Sequence, residues 1–493
     1  MYPAILFTVV LAYFGLLLVV AWVTSRGADN DSFFIGNRRS HWALVAFGMV
    51  GTSLSGVTFV SVPGFVGANG FTYLQIILGH VLGYLVIAFV LLPLYYRTRV
   101  TSIYHFLGER LGPRAYRTGA AFFILSRTLG ATARLYIVVR ILQDVILDAF
   151  GVPFWVTAAL ILLMIVLYTV EGGVKTIVWT DTLQTAGMLT GLVVCTVFLL
   201  GRMDLSPAAG LARMADAGMA TVFGTDPLSR TFWLKQILAG MFIAIAMTGL
   251  DQEMMQKSIS VTTRRDSQKN VVVLAFILTG VVLLFLYLGG LLHLYAQQAG
   301  MVERGDRLFP AVVMQHLPAW VQLVFILALI SALFPSADGA LTALTSSFCI
   351  DILGMQRRTG WSAAHSQRIR RVVHLAFAAV FMVLVLAFRA VDDPSMIGLI
   401  LKIAGYTYGP LLGLFAFGMF TRRRVRDALV PAVALAAPLV CAVVDLNQRA
   451  LFGRYEMGLE LLLVNGALTF AGLWLVSSAP ASGRAADRQP LDA

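Results

Sequence analysis

Ionisable residues fall within or at the ends of long apolar runs, among them Arg127, Arg134, Arg140, Asp181, Asp251, Glu253, Asp338 and Lys402. Charge inside hydrocarbon is costly, so such residues line a pathway, pair with one another or reach out to an interface. Arg140, Glu253 and Lys402 read as span-end residues whose charged heads reach polar surroundings. Asp338 does not, because it stands between apolar stretches of one long run. The segment around it, Ser331–Cys349 (SALFPSADGALTALTSSFC), is dense in hydroxyls. Pro335 has no N–H, so the Ser331 carbonyl loses its helical donor and the helix bends there. Asp338 lies three residues further on, on the same face. Hard cations such as sodium take oxygen ligands. A carboxylate, several hydroxyls and a freed carbonyl therefore make this stretch a candidate cation site. The competing reading is a kinked helix whose hydroxyls bond back to the preceding turn.

The elements that carry these groups follow from composition. The chain has 493 residues, 59% of them apolar and 13% charged, against about 25% charged in ordinary soluble domains. Mean hydropathy is +0.82. No water-facing surface can be made from this mixture. The expectation is an all-α integral membrane protein, with a single transmembrane domain over residues 1–478 and a disordered cytoplasmic tail at 479–493. Runs of about 20 apolar residues mark transmembrane helices. About thirteen occur, at roughly 3–25, 41–65, 72–96, 117–149, 153–171, 180–201, 230–256, 270–298, 318–350, 371–391, 395–420, 428–447 and 457–478.

The net charge of +12 is scattered through loops rather than gathered on one face, which argues for membrane topology and against nucleic acid. Most basic residues fall on one set of alternate loops. These include Arg26, Arg38 and Arg39; Arg97, Arg99, Arg110, Arg114 and Arg117; Lys257, Arg264, Arg265 and Lys269; and Arg422, Arg423, Arg424 and Arg426. The positive-inside rule then places the N-terminus outside and the C-terminus in the cytoplasm. The first apolar run lacks a basic flank and is too long for a cleavable signal. Cys195, Cys349 and Cys441 form no CxxC pair, and no HExxH spacing occurs. Asp181 with Asp338 resembles an aspartyl dyad without the sequence context such enzymes need, so an enzyme is not expected. A non-transporting solute sensor is disfavoured by the short tail. No obligate protein partner is evident.

Inverted-repeat transporters break the first helix of each repeat at the binding site. The second run contains GMVGTSLSGVTFVSVPG and the seventh AGMFIAIAMTGLDQE. Both would be poor continuous helices. Small residues that merely allow close helix packing would look the same.

Four segments resemble the sodium/solute symporter family, which includes sodium–glucose, proline and pantothenate transporters. They are EGGVKTIVWTDTLQ (Glu171–Gln184), LDQEMMQKSIS (Leu250–Ser260), RVTSIYHFLGERLG (Arg99–Gly112) and YTYGPLLGLFAFGM (Tyr406–Met419). The resemblance implies a leucine-transporter-type core of five plus five inverted helices, over about 41–201 and 230–420, with one extra helix before it and two after. It also implies sodium-coupled symport of a small polar solute by alternating access across a plasma membrane, the bacterial inner membrane. A main sodium site would use backbone oxygens of Gly51, Leu54 and Ala332 and the hydroxyl of Ser336. The hydroxyl usually found before that serine is replaced by Pro335. A second sodium site in some members would use Asp181, with Asp338 and Gly339 where hydroxyls are usual. Asp338 could then supply the ligand lost at Pro335, or Asp181 and Asp338 could share a proton and make the coupling ion H⁺. Solute candidates near the midplane are Thr58, Gln75, His80, Asp251 and Gln252. Ile77, where the sugar branch carries an acid, argues against a sugar. Amino acids, carboxylates, vitamins and polyols stay open.

Overall fold

The computed structural model describes residues 3–26, 33–34, 40–98, 102–358, 360–391 and 396–479. Arg38, Arg39, Arg99 and the tail from residue 480 on lie outside the described residues. The chain is almost wholly helical, with one two-residue antiparallel pairing of Arg424–Val425 with Ser477–Ser478.

The principal helices are α1 (Pro3–Thr24), α2 (Trp42–Ser53), α3 (Gly56–Asn69), α4 (Tyr73–Arg97), α5 (Pro113–Phe150) and α6 (Phe154–Val170). They continue as α7 (Gly173–Arg202), α8 (Trp233–Gly249), α9 (Gln252–Ile259), α10 (Arg264–Gln298) and α11 (Ala319–Ile352). The last are α12 (Ala363–Val391), α13 (Met396–Thr407), α14 (Gly409–Phe420), α15 (Asp427–Leu446) and α16 (Leu461–Leu475). Among the described residues, eight helices are long and apolar enough to cross a membrane, or eleven if each of three bent pairs is one span. α6 and α16 are shorter apolar helices.

Four helices, α5, α7, α10 and α12, begin earlier than hydropathy suggests. α5 starts at Pro113, whose missing N–H costs nothing in a first turn. α10 starts at Arg264, where the Thr263 hydroxyl accepts from the Asp266 N–H. Arg114, Arg117, Arg264 and Arg265 therefore sit on helices rather than in loops. The expected seventh span is two helices, α8 and α9, bent by 66°. The second is likewise α2 and α3, bent by 58°.

Local chemistry explains the breaks. α2 stops at Leu54 (φ −99°, ψ 72°) and Ser55 is extended (φ −62°, ψ 170°). A Cβ on Gly56, the first residue of α3, would stand 2.6 Å from a Val138 methyl, so only glycine lets α5 approach there. Between α8 and α9, Asp251 caps the new helix. Its Oδ1 accepts from the N–H groups of Glu253 (2.9 Å) and Met254 (3.2 Å). Gly173, at φ 50° and ψ −139°, separates α6 from α7. Any side chain there would be strained and would strike Phe33.

α11 is the hub. Every residue from Ala328 to Ser347 is buried, which marks a helix surrounded by protein. α12 and α15 instead expose apolar side chains such as Val383, Leu439 and Val443, as a lipid-facing surface requires. α4 and α8 cross at reciprocal glycines. A Cβ on Gly79 would lie 2.1 Å from the Ile237 carbonyl oxygen, and one on Gly240 would lie 2.3 Å from that of Ile76. These are backbone clashes that no rotamer relieves. Gly79→Val should cost at least the roughly 1–3 kcal/mol typical of overpacking. The check is thermal unfolding of detergent-purified protein, where an unchanged melting temperature would show that the crossing is looser than this.

Candidate functional site

The broken helices face one another across a cavity of about 110 Å³. Its walls include Ser53, Leu54, Ser55 and Thr58 from the α2–α3 break and Tyr73, His80 and Tyr84 from α4. α5 contributes Arg127 and Arg134, and α8 contributes Thr248. A larger space of about 480 Å³ adjoins it. The two share Tyr73, Ile397 and Leu401 as lining. Arg230, Gln236, Lys402 and Asp445 line the larger one.

At the end of α4 away from this larger space, polar contacts between side chains and backbones tie the described elements together. The Tyr96 hydroxyl donates to the Val261 carbonyl (2.8 Å), and the Tyr104 hydroxyl to that of Leu250 (3.0 Å). The Ile103 N–H donates to Gln252 Oε1 (3.0 Å), and Arg110 holds the Gly418 carbonyl (3.1 Å).

The proposed solute residues divide. Thr58 and His80 line the cavity, and His80 Nε2 is buried without a hydrogen-bond partner. Gln75 lies outside its lining. Its amide donates to the Thr72 and Thr231 carbonyls (3.0 and 3.2 Å) and accepts from Gly224 (3.4 Å), tying a loop to α4. Gln252 is fully buried, its amide oxygen accepting from the Ile103 N–H. Asp251 is an N-cap whose other oxygen accepts from the Tyr408 hydroxyl at 2.6 Å. These three polar side chains satisfy protein groups, the ordinary reason for a buried amide or acid.

Two arginines a helical two turns apart on α5 do different work. The Arg127 guanidinium pairs with the Glu253 carboxylate and lies 4.0 Å from Asp251. Arg134 has no ion pair among the described residues, and it lines the cavity. Glu253 is only 2% exposed. It does not reach an interface as a span-end residue would, because two cations hold it in the interior.

The candidate sodium residues also gather. A Cβ on Gly51 would stand 3.2 Å from the Pro335 ring, and one on Gly56 would stand 3.6 Å from the Leu333 backbone. The α2 break therefore lies against the Ala332–Ser336 stretch of α11. Carbonyls at the end of α2 lack partners within their helix. The Ser336 hydroxyl donates to the Leu333 carbonyl at 2.9 Å, and its own lone pairs accept. Gly51, Leu54, Ala332 and Ser336 thus offer oxygens of the kind a hard cation takes.

Asp181 and Asp338 are also near this region, but neither is bare. Asp338 Oδ2 accepts from the Tyr168 hydroxyl at 2.8 Å. Asp181 Oδ2 accepts from the ammonium of Lys257 at 2.7 Å and from the Thr52 hydroxyl at 3.1 Å. Lys257 also donates to Thr52 (2.7 Å) and Glu253 (3.4 Å). Charge counting along the sequence puts Lys257 with the loop lysines. The structure corrects that: it is 3% exposed. The overlooked signal was Glu253 one turn earlier, an i,i+4 acid–base pair.

Comparison with known proteins places this geometry in a family. The sequence profile of the sodium:solute symporter family matches residues 33–430. The sodium/sialic acid symporter of Proteus mirabilis is 22% identical over 444 residues, covering 87% of this chain and 87% of that protein. The human sodium/iodide cotransporter is 25% identical over 83% of this chain, and the bovine sodium-coupled monocarboxylate transporter 2 is 25% identical over 80%. The chain spans just under two thirds of the length of these two, 65% and 64%. Among solved structures, a sodium-coupled sialic acid symporter in a substrate-bound outward-open state superposes with a TM-score of 0.82. Its sequence is 19% identical, with 96% of this chain and 97% of that one covered. A nucleobase–cation symporter in a closed conformation superposes at 0.54, with 13% identity and 91% and 94% covered. The first of these likenesses fixes the fold closely, and the profile covers most of the sequence: the chain belongs to the sodium:solute symporter family.

Proposed function

We infer that this protein is a secondary active transporter that carries a small anionic solute together with sodium by alternating access. The observation that carries the solute class is Arg134. Its guanidinium lines the cavity beside the helix breaks, and no carboxylate among the described residues lies within ion-pair distance of it. A cation withdrawn this far from water normally has a counter-charge, and a carboxylate offers the planar, two-pronged acceptor that a guanidinium fits. Three relatives have names that specify sialic acid, iodide and monocarboxylate, all of them anions. A cavity of about 110 Å³ is below the roughly 300–1,000 Å³ of drug-sized sites, which suits a small solute.

Sodium would sit at the α2 break, on carbonyls of Gly51 and Leu54, and against Ala332 and Ser336 of α11. Binding there holds the break against the hub and completes the wall around Thr58 and His80. The ion can bias the cycle only by its difference in affinity between the two states. Proton coupling through an Asp181–Asp338 pair is not carried forward: the family is sodium-coupled, and Lys257 already holds Asp181.

The architecture that accompanies this reading has thirteen spans, counting α6, α16 and each bent pair as one. Its core is five plus five helices led by the two broken spans. Charge bias places the N-terminus outside, the C-terminus in the cytoplasm and the larger space facing outward. A plasma membrane, the bacterial inner membrane, is the proposed location.

Proteoliposomes given an inward sodium gradient should take up acetate, lactate or pyruvate. Replacing sodium by choline should reduce uptake at least about tenfold, a coupling of about 1.4 kcal/mol or more. Uptake of these anions that ignores sodium would sink the coupling. Sodium-driven uptake of only neutral or cationic solutes would sink the solute class.

A further inference from the structure

The sodium site at the α2 break leaves a second oxygen-rich cluster unexplained. Asp181 (α7), Glu253 (α9) and Asp338 (α11) are each at most 2% exposed. Asp181 Oδ1 is buried and has no hydrogen-bond partner. Three carboxylates this deep need cations, since a buried charge persists only when paired. Arg127 supplies one, through Glu253. Lys257 supplies a second, against Asp181 and Glu253, while Asp338 takes the Tyr168 hydroxyl instead. The Lys257 ammonium has oxygens of Asp181 and Thr52 at 2.7 Å and of Glu253 at 3.4 Å. These come from three elements, α2, α7 and α9, arranged as they would be around a bound cation.

The space the ammonium needs is provided by a missing side chain. A Cβ on Gly339 would stand 2.2 Å from Glu253 Oε1 and 3.0 Å from Lys257 Nζ. A hydroxyl residue at 339 would collide with the pair, so the cluster fits an ammonium and does not fit a sodium ion beside it. We propose that Lys257 is a tethered cation that fills this cluster, leaving the α2 break as the single sodium site of the transporter. The inference rests on the sodium-symport reading. It adds that the number of sodium ions bound is one, and that a residue of the chain sets that number.

The test counts sodium. Purified full-length protein is equilibrated with radioactive sodium, and bound ion is measured per chain. One ion per chain at saturation is the expected result. Two ions would overturn the tethered-cation proposal and leave sodium symport standing. None would overturn sodium symport, and this proposal with it. Lys257→Ala opens the cluster, with Asp181, Glu253 and Thr52 as its oxygens, and should bind two. A folded variant that still binds one would overturn the proposal. If the variant does not fold, the wild-type count decides alone.

Discussion

Replacing Arg134 with alanine should raise the concentration of carboxylate needed for half-maximal uptake by about 10- to 100-fold. That range follows from the roughly 1.5–3 kcal/mol of a hydrogen bond to a charged group and about 1.4 kcal/mol per tenfold in affinity. The protein should still reach the membrane in normal amount, because no carboxylate among the described residues is ion-paired with Arg134. Removing it strands nothing, and relieves the fold of an uncompensated charge. Arg134→Lys should recover only part of the loss, since an ammonium cannot grip a carboxylate with two parallel donors. Concentration-dependent uptake, set beside immunoblotted abundance, is the measurement. A large fall in abundance with unchanged half-saturation would show that Arg134 is structural and would remove the ground for an anionic solute.

Glu253 gives the opposite pattern. Glu253→Ala leaves Arg127 without its carboxylate and weakens the cage around Lys257, both inside the protein. Breaking a buried pair from one side costs about 3–5 kcal/mol. That is a large part of the roughly 5–15 kcal/mol that separates native from unfolded protein, so little folded protein should remain. The double variant Glu253→Met with Arg127→Met should be far milder, because replacing both partners with apolar groups of similar shape approaches neutrality. Melting temperatures of the two singles and the double complete a cycle whose coupling reports the pair. Additive effects would mean that Arg127 and Glu253 are not one unit.

Much of this structure was legible in the sequence, for reasons particular to membranes. A span needs a long apolar run, so helices such as Pro3–Thr24 and Tyr73–Arg97 announce themselves. The breaks were also legible as glycine-rich or acid-bearing stretches, although their positions were not. Gly48 and Gly51 lie within α2, and the chain turns only at Leu54–Ser55. The bend of 42° between α13 and α14 was missed, though Gly409-Pro410 at the start of α14 is a visible cue. Polar residues were harder. Gln75 and Gln252 have the same polar character as Thr58, but loop backbone takes up their amides, and nothing local in sequence reveals that. Arg134 was visible as a charge in a span. Only the packed structure shows that Arg127 is spoken for and Arg134 is not. Lys257 was misplaced because charge counting sorts residues by their neighbours along the chain, whereas α9 turns back into the protein after the 66° bend.

An ammonium fixed to the chain between Asp181 and Glu253 also bears on bioenergetics. With one sodium and one monoanion moving together, a cycle carries no net charge across the bilayer. The membrane voltage, worth about 2.3 kcal/mol per elementary charge per 100 mV, then does no work on the solute. Accumulation would be bounded by the sodium concentration ratio alone, and uptake would persist in a cell whose membrane potential had collapsed but whose sodium gradient had not.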